Sequence, residues 1–332
     1  MHEKLAVFVQ NELDIDLGQT FQSVIDAGIQ IDYRPLRHTQ NEQEVIRAAR
    51  GYQYIVTGRE PWNKKTLMAC AKDLKMLVRF GAGYDTVDLQ LATNLGIAVA
   101  NAPGANAKAV AEHTLALMMS VLRNISRYDR EMRSKDVHAS ISQSLEGTVA
   151  LLGFGSIGQE VARLLQVFPV RIIAYDPYPN WDKAEELGVT IVPLEKALAQ
   201  ADIISLHLPG CREMHDFICD RTIAQMKDGV YLINTSRGSV LDEQALARAL
   251  RSGKIAGAGL DTFKIEPFDR NSILKNVPNV VLTPHAAAVS TQGVRSVFES
   301  CARSVAQFLQ GDPVDALLNP DYKYHIRNQQ GA

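Results

Sequence analysis

The residues most able to do chemistry fall in the second half of this 332-residue sequence. Val149-Ala150-Leu151-Leu152-Gly153-Phe154-Gly155-Ser156-Ile157-Gly158 runs an apolar strand into G-x-G-x-x-G, with a helical pattern directly behind it. Gly153 permits the tight turn, Gly155 lets the backbone approach a pyrophosphate, and Gly158 lets helix and strand pack closely. Free N–H groups at the helix start, around Ser156 and Ile157, would face the phosphate charge. Arg171-Ile172-Ile173-Ala174-Tyr175-Asp176 is a second strand, ending in an acid 18 residues beyond Gly158. A carboxylate there can accept both ribose hydroxyls of an adenosine. It would repel a 2′-phosphate, and Pro177-Tyr178 offer no cation, so NAD is expected rather than NADP. An aspartate merely ending a strand is the alternative, and the paired glycine loop argues against it.

Three further motifs follow apolar runs in the same region: Asn234-Thr235-Ser236-Arg237-Gly238, Gly259-Leu260-Asp261-Thr262-Phe263-Lys264-Ile265-Glu266-Pro267, and Leu282-Thr283-Pro284-His285. Singly, Arg237 reads as a surface residue, Glu266 as a solvated loop acid and His285 as a turn histidine. As a set beyond the strands of a nicotinamide-binding sheet, they are what hydride transfer to a 2-keto acid requires. The guanidinium holds carboxylate and carbonyl as a planar fork. The histidine protonates the new alkoxide, and a neighbouring carboxylate favours the protonated ring.

These residues need a sheet to hold them. Strands are expected at Thr148–Leu152, Arg171–Tyr175, Asp202–Leu206, Val230–Asn234, Ile255–Leu260 and Val280–Thr283, separated by helical stretches. Six strands in about 135 residues fit a doubly wound dinucleotide-binding domain. Before them, strands at Leu5–Val9, Ile29–Tyr33, Tyr54–Val56, Leu77–Phe80 and Ile97–Ala100 alternate with amphipathic stretches, which reads as another parallel sheet covered on both faces. One long helix without Gly or Pro is expected from Ala107 to about Arg133, apolar over more than one face. Asn101-Ala102-Pro103-Gly104 before it reads as an inter-domain crossing. A last helix is expected at about 290–309, and the polar tail after Pro320 is expected to be loose.

Composition narrows the class. With 35 Lys and Arg against 37 Asp and Glu, the net charge of −2 provides no basic field, so no nucleic-acid partner is expected. No apolar run reaches the ~18 residues of a membrane span, and Leu5–Val9 is shorter than the core of a secretory leader. Four scattered cysteines suit a reducing cytoplasm.

With the motifs above, Arg79-Phe80-Gly81-Ala82-Gly83-Tyr84-Asp85-Thr86-Val87-Asp88 and Val110-Ala111-Glu112-His113-Thr114 make nearly the whole chain resemble the D-isomer-specific 2-hydroxyacid dehydrogenases. The resemblance implies an α/β protein of two doubly wound parallel-sheet domains. A Rossmann cofactor domain, 102–289, would be inserted into a discontinuous flavodoxin-like substrate domain, 1–101 plus 290–332. The active site would lie in the cleft, closed by hinge motion, in a homodimer built through the cofactor domain. It further implies Arg237 as substrate arginine, Glu266 as carboxylate partner and His285 as acid–base. Gly81, Ala82 and Gly83 would hold the substrate carboxylate through their backbone. Asp261 would contact the nicotinamide carboxamide, and Leu208, Thr235 and Ser236 would line the NAD.

Some positions depart from family habit. Ala286-Ala287-Ala288 stand where many relatives have glycine, and Pro209-Gly210-Cys211-Arg212-Glu213 replaces the more usual Pro-Leu-Thr-Pro-Glu. Thr57-Gly58 occupy a place that holds arginine in the phosphoglycerate branch, with Arg59 two positions on. His207, Cys211, His215 and Cys219 recur every four residues, but Pro209-Gly210 break any shared helix, so no metal is expected. His113 reads as a structural histidine in an apolar helix, with no catalytic need for Glu112. The leading function is an NAD-dependent interconversion of a 2-keto acid and a D-2-hydroxy acid. The alternatives are a phosphoglycerate, hydroxypyruvate or glyoxylate specialist, or an NAD-responsive binding protein similar to the family's corepressors.

Overall fold

Leu5 and Val7 enter one core while Ala6 and Phe8 enter another, because successive side chains of a strand leave on opposite faces. This two-sided burial recurs through a computed structural model that describes residues 3–37, 39–134, 138–277 and 279–325. The chain divides into two compact units, Met1–Asn106 with Thr291–Ala332, and Ala107–Ser290.

The first unit holds five parallel strands: β1 (Lys4–Val7), β2 (Gln30–Tyr33), β3 (Tyr54–Thr57), β4 (Met76–Arg79) and β5 (Ala98–Ala100). Their order, β2-β1-β3-β4-β5, is the doubly wound order whose switch point falls between β1 and β3. Helices Glu42–Ala49, Lys64–Cys70 and Leu89–Asn94 each start where Asn41, Asn63 or Asp88 accepts backbone N–H bonds at the N-cap. They bury Val45, Leu67 and Ala92 on one side of the sheet. Helix Thr291–Gln310 covers the other side with Val297, Phe298, Cys301 and Val305.

The stretch after that helix is tied to the first sheet, and only its 3-10 turn, Pro320–Tyr324, bears on the expectation of a loose tail after Pro320. Leu317 forms an antiparallel bridge with Ala100. The Asn319 side chain accepts the Val99 N–H at 2.7 Å and donates to the Ile97 carbonyl at 2.9 Å. The exposed edge of β5 is thereby capped. Pro320–Tyr324 then forms a 3-10 turn with Tyr322 buried. A polar sequence is ordered here because it completes a sheet edge, which no local pattern reveals. The rest of the tail, residues 326–332, lies outside the described residues.

The second unit holds seven parallel strands: β6 (Gly147–Leu152), β7 (Val170–Tyr175), β8 (Thr190–Ile191), β9 (Ile203–Leu206), β10 (Val230–Asn234), β11 (Ile255–Leu260) and β12 (Val280–Leu282). The order is β12-β11-β10-β9-β6-β7-β8. It reverses at β6/β9, the dinucleotide crevice of such sheets. The two-residue β8 is the strand that sequence patterning missed.

The expected single helix to Arg133 is two: Ala107–Leu122 and Ile125–Met132. Asn124 between them sits at φ 58, a left-handed conformation that asparagine tolerates and that ends a helix without Gly or Pro. Helix Ala107–Leu122 lies close on the sheet. A Cβ at Gly257 would come within 2.6 Å of Val121, and one at Gly259 within 3.0 Å of Leu117. Among the described residues, no helix is long and apolar enough to cross a membrane.

Candidate active site

At the end of β6, Gly153 turns the chain at φ +101, and a Cβ there would stand 2.4 Å from the His207 carbonyl oxygen. A Cβ at Gly158 would stand 2.4 Å from the Gly153 carbonyl oxygen. Both glycines are therefore required by packing inside the fold. Gly155 differs, since a Cβ there meets nothing within 4 Å. Space is kept open above it, at the start of helix Ser156–Leu165, whose N-cap supplies no side-chain bond. Such an uncapped start with a bare approach fits a pyrophosphate.

Asp176, just beyond β7, accepts the Phe154 N–H at 2.7 Å through Oδ2 and the Tyr178 N–H at 2.8 Å through Oδ1. It clamps the glycine loop, and each oxygen keeps a second lone-pair direction for a further donor. Under the loop the Nδ1 atom of His207 is buried. Burial lowers this histidine to about 4, so the ring is neutral. Leu208, Thr235 and Ser236 are buried just past β9 and β10.

The Arg237 loop is set by Asn234. Its Oδ1 accepts the Ser236 N–H at 3.0 Å and the Ser236 hydroxyl at 2.8 Å, and its Nδ2 donates to the Arg237 carbonyl at 2.9 Å. Gly238 then lets this loop abut the one after β11, because a Cβ there would fall 1.9 Å from the Phe263 carbonyl carbon. In that neighbouring loop the Glu266 carboxylate accepts the Phe263 N–H at 3.2 Å.

His285 meets Glu266 through Nδ1, at 2.9 Å from Oε1 and 2.8 Å from Oε2. An ionised carboxylate only accepts, so Nδ1 carries a proton and Nε2 is the nitrogen whose proton comes and goes. The pair is about a quarter exposed, 27% for His285 and 24% for Glu266. His285 occupies the left-handed region at φ 56, which costs on the order of 1–3 kcal/mol unless its surroundings hold it.

Asp261 supplies that hold. Its carbonyl accepts the His285 N–H at 2.7 Å, and its carboxylate accepts the N–H groups of Ala286 at 2.8 Å and Ala287 at 2.9 Å. The side chain is fully buried. Burial pushes its carboxyl up, yet hydrogen bonds from His113, Thr283 and the two alanine N–H groups leave it below the usual aspartate range. Ala286 and Ala287 thus serve through their backbone. Thr283 donates to Asp261 Oδ1 at 2.6 Å, and His113 Nε2 lies 3.0 Å from the Thr283 hydroxyl. His113, expected as a structural histidine, is satisfied by Thr283, a partnership that its place in the sequence does not indicate.

In the first unit, Gly81 follows β4 at φ +117. Its carbonyl accepts the Ala102 N–H at 3.0 Å, and the Ala82 carbonyl accepts from Asn101 Nδ2 at 2.6 Å. Among the described residues, the N–H groups of Gly81, Ala82 and Gly83 have no such partner within the protein.

The four-residue spacing of His207, Cys211, His215 and Cys219 crosses a strand end, an irregular stretch and a 3-10 turn at Arg212–Met214. Among the described residues no group of three or more His, Cys, Asp or Glu side chains is placed to hold a metal ion.

Residues 115–287 match the family model described as D-isomer specific 2-hydroxyacid dehydrogenase, NAD binding domain. The chain is 34% identical over 282 residues to a D-3-phosphoglycerate dehydrogenase of Archaeoglobus fulgidus, covering 84% of this chain and 54% of that one. It is 36% identical over 267 residues to a glyoxylate reductase of Thermococcus litoralis, covering 77% and 80%. It superposes with TM-score 0.79 at 27% identity on a D-lactate dehydrogenase of Aquifex aeolicus solved with NAD and lactic acid, covering 95% and 99%. The chain spans about half the length of the phosphoglycerate dehydrogenase it matches.

Proposed function

This chain belongs to the D-isomer specific 2-hydroxyacid dehydrogenase family, and on that premise we propose that it interconverts a 2-keto acid and a D-2-hydroxy acid with NAD. The observation that carries the reading is the His285–Glu266 pair at 2.8 Å, on the sheet that also presents Arg237 and the glycine loop.

Gly153, Gly155 and Gly158, the N–H groups at Ser156 and Ile157, and Asp176 would hold the cofactor's pyrophosphate and ribose. Leu208, Thr235, Ser236 and Asp261 would line it. NAD, when bound, supplies the hydride acceptor or, reduced, the donor. Arg237 would bind the carboxylate and the 2-oxygen of the substrate as a planar fork. His285 Nε2–H would give its proton to that oxygen in reduction and take it back in oxidation. Glu266 keeps the ring oriented and opposes the positive charge when both nitrogens are protonated. For the first unit, which we read as the substrate domain, the N–H groups of Gly81, Ala82 and Gly83 would bind the carboxylate. The second unit would be the NAD domain.

We also propose a cytoplasmic homodimer. Cys70, Cys211, Cys219 and Cys301 are all unbridged. Helix Ile125–Met132 has no buried residue and exposes Ile125 and Met132, a surface that a second copy would cover.

The test is NADH oxidation by the purified protein against glyoxylate, hydroxypyruvate, phosphohydroxypyruvate, pyruvate and bulkier 2-keto acids, with NADPH in parallel. Turnover of one acid with NADH supports the reading and names the substrate. NADH binding without turnover of any acid counts against it.

A further inference from the structure

We propose that His113 sets the position of the catalytic histidine, acting through Thr283 on His285. The inference rests on the role proposed above for His285.

Both residues sit on helix Ala107–Leu122, which is packed against β11 across Gly257 and Gly259. His113 Nε2 lies 3.0 Å from Thr283 Oγ1 and 3.5 Å from Asp261 Oδ1. The Thr283 hydroxyl already donates its one proton to Asp261 at 2.6 Å, so its oxygen can only accept from His113. His113 must therefore carry a proton on Nε2. The chain His113 to Thr283 to Asp261 ends on the carboxylate that grips the N–H groups of Ala286 and Ala287. That grip keeps His285 at φ 56.

The next residue also reaches a loop threonine but in the opposite sense, because the Thr114 hydroxyl donates to the Val110 carbonyl at 2.7 Å and so accepts from Thr235. Thr114 Oγ1 lies 2.8 Å from Thr235 Oγ1, both buried. Thr235 stands two residues before Arg237, as Thr283 stands two residues before His285. Adjacent residues of one rigid helix thus register two loops that are distant in sequence. Catalytic groups need this kind of support, since a misplacement of about 1 Å can lower a rate about 10²-fold. His113 is not required to touch substrate or cofactor. It is a positioning residue.

The experiment uses the full chain with His113→Leu, His113→Gln and Thr283→Val, the last serving if the leucine variant does not fold. His113→Leu and Thr283→Val should each lower kcat by about tenfold to a hundredfold, with KM and NADH affinity little changed. Glutamine can still donate to Thr283, so His113→Gln should recover most of the loss. The double variant His113→Leu/Thr283→Val should be no worse than either single one, because both cut the same path. A readout without cofactor or turnover comes from the 1H–13C ring resonances of the eight histidines, with His285 assigned by its disappearance in His285→Ala. The His285 signal should move in His113→Leu and Thr283→Val and return in His113→Gln. A His285 signal unmoved in both, kcat within twofold of the wild type, or glutamine as damaging as leucine would each overturn the proposal. If His285→Ala itself kept full turnover, the acid–base role would fail instead, while the resonance shift would still decide whether His113 positions the turn.

Discussion

Two turns at the carboxyl ends of one sheet hold the glycine loop and the His285–Glu266 pair, and each is gripped by an aspartate. Asp176 takes the N–H groups of Phe154 and Tyr178 and holds the glycine loop. Asp261 takes those of Ala286 and Ala287 and holds the histidine turn. The difference lies in burial. Asp176 is half-buried and retains lone pairs toward solvent, whereas Asp261 is fully buried with its oxygens occupied by the protein. The first turn is sterically specified by glycine and leaves its acid available to a ligand. The second places a β-carbon where glycine would be easier, and a buried carboxylate stabilises the conformation. The glycine turn is specified by backbone alone, while the His285 turn fixes a side chain.

The largest effect expected is at the second turn. His285→Ala should cut turnover by ~10²–10⁴ while NADH binding stays nearly intact, checked by steady-state rates beside a fluorescence titration. A smaller loss would place the proton elsewhere. The glycine loop should separate into two kinds of position. Gly153→Ala forces a residue to φ +101 and 2.4 Å from a carbonyl oxygen, so a loss of about 2–3 kcal/mol in stability is expected by urea denaturation. Gly155→Ala has open space and should change stability by less than about 1 kcal/mol, yet weaken NADH by about tenfold or more because it blocks the pyrophosphate. Equal behaviour of the two variants would remove the distinction between packing glycine and approach glycine.

Asp261→Asn keeps the shape but puts an amide where the carboxylate accepted several donors. It should cost about 1–3 kcal/mol in stability and reduce kcat more than it alters NADH affinity. Asp176→Asn should do the opposite, with affinity suffering first. A last effect concerns pH. In the folded chain His207 resists protonation until about 4, against 6.5 when free. Stability should therefore be full above pH 6.5 and decline as pH falls from there to about 4, by at most about 3 kcal/mol. His207→Gln should flatten that part of the denaturation profile.

Features with a short sequence period were legible before any coordinates. The strand–glycine–helix spacing at Val149–Gly158, the acid at Asp176 and the alternation of strands with helices depend on neighbours along the chain, and their forms agree with the structure. The break at Asn124 was not legible, because an asparagine that adopts φ 58 is indistinguishable in sequence from one within a helix. Nor was β8, since two residues carry no periodicity. His113 was legible as a structural histidine, but its partner was not, because Thr283 is 170 residues away.

The sequence by itself determined the family, the fold class and the residue types of the candidate site, because local spacing dictates turns, helix starts and strand ends. Only the tertiary structure decided that Asp261 clamps the His285 turn, that Asn319 caps β5 across 220 residues, and that His113 and Thr114 meet two separate loops from one helix. Those contacts join segments whose separation along the chain is set by topology. Hydrogen bonding between buried groups requires a partner without naming which residue supplies it.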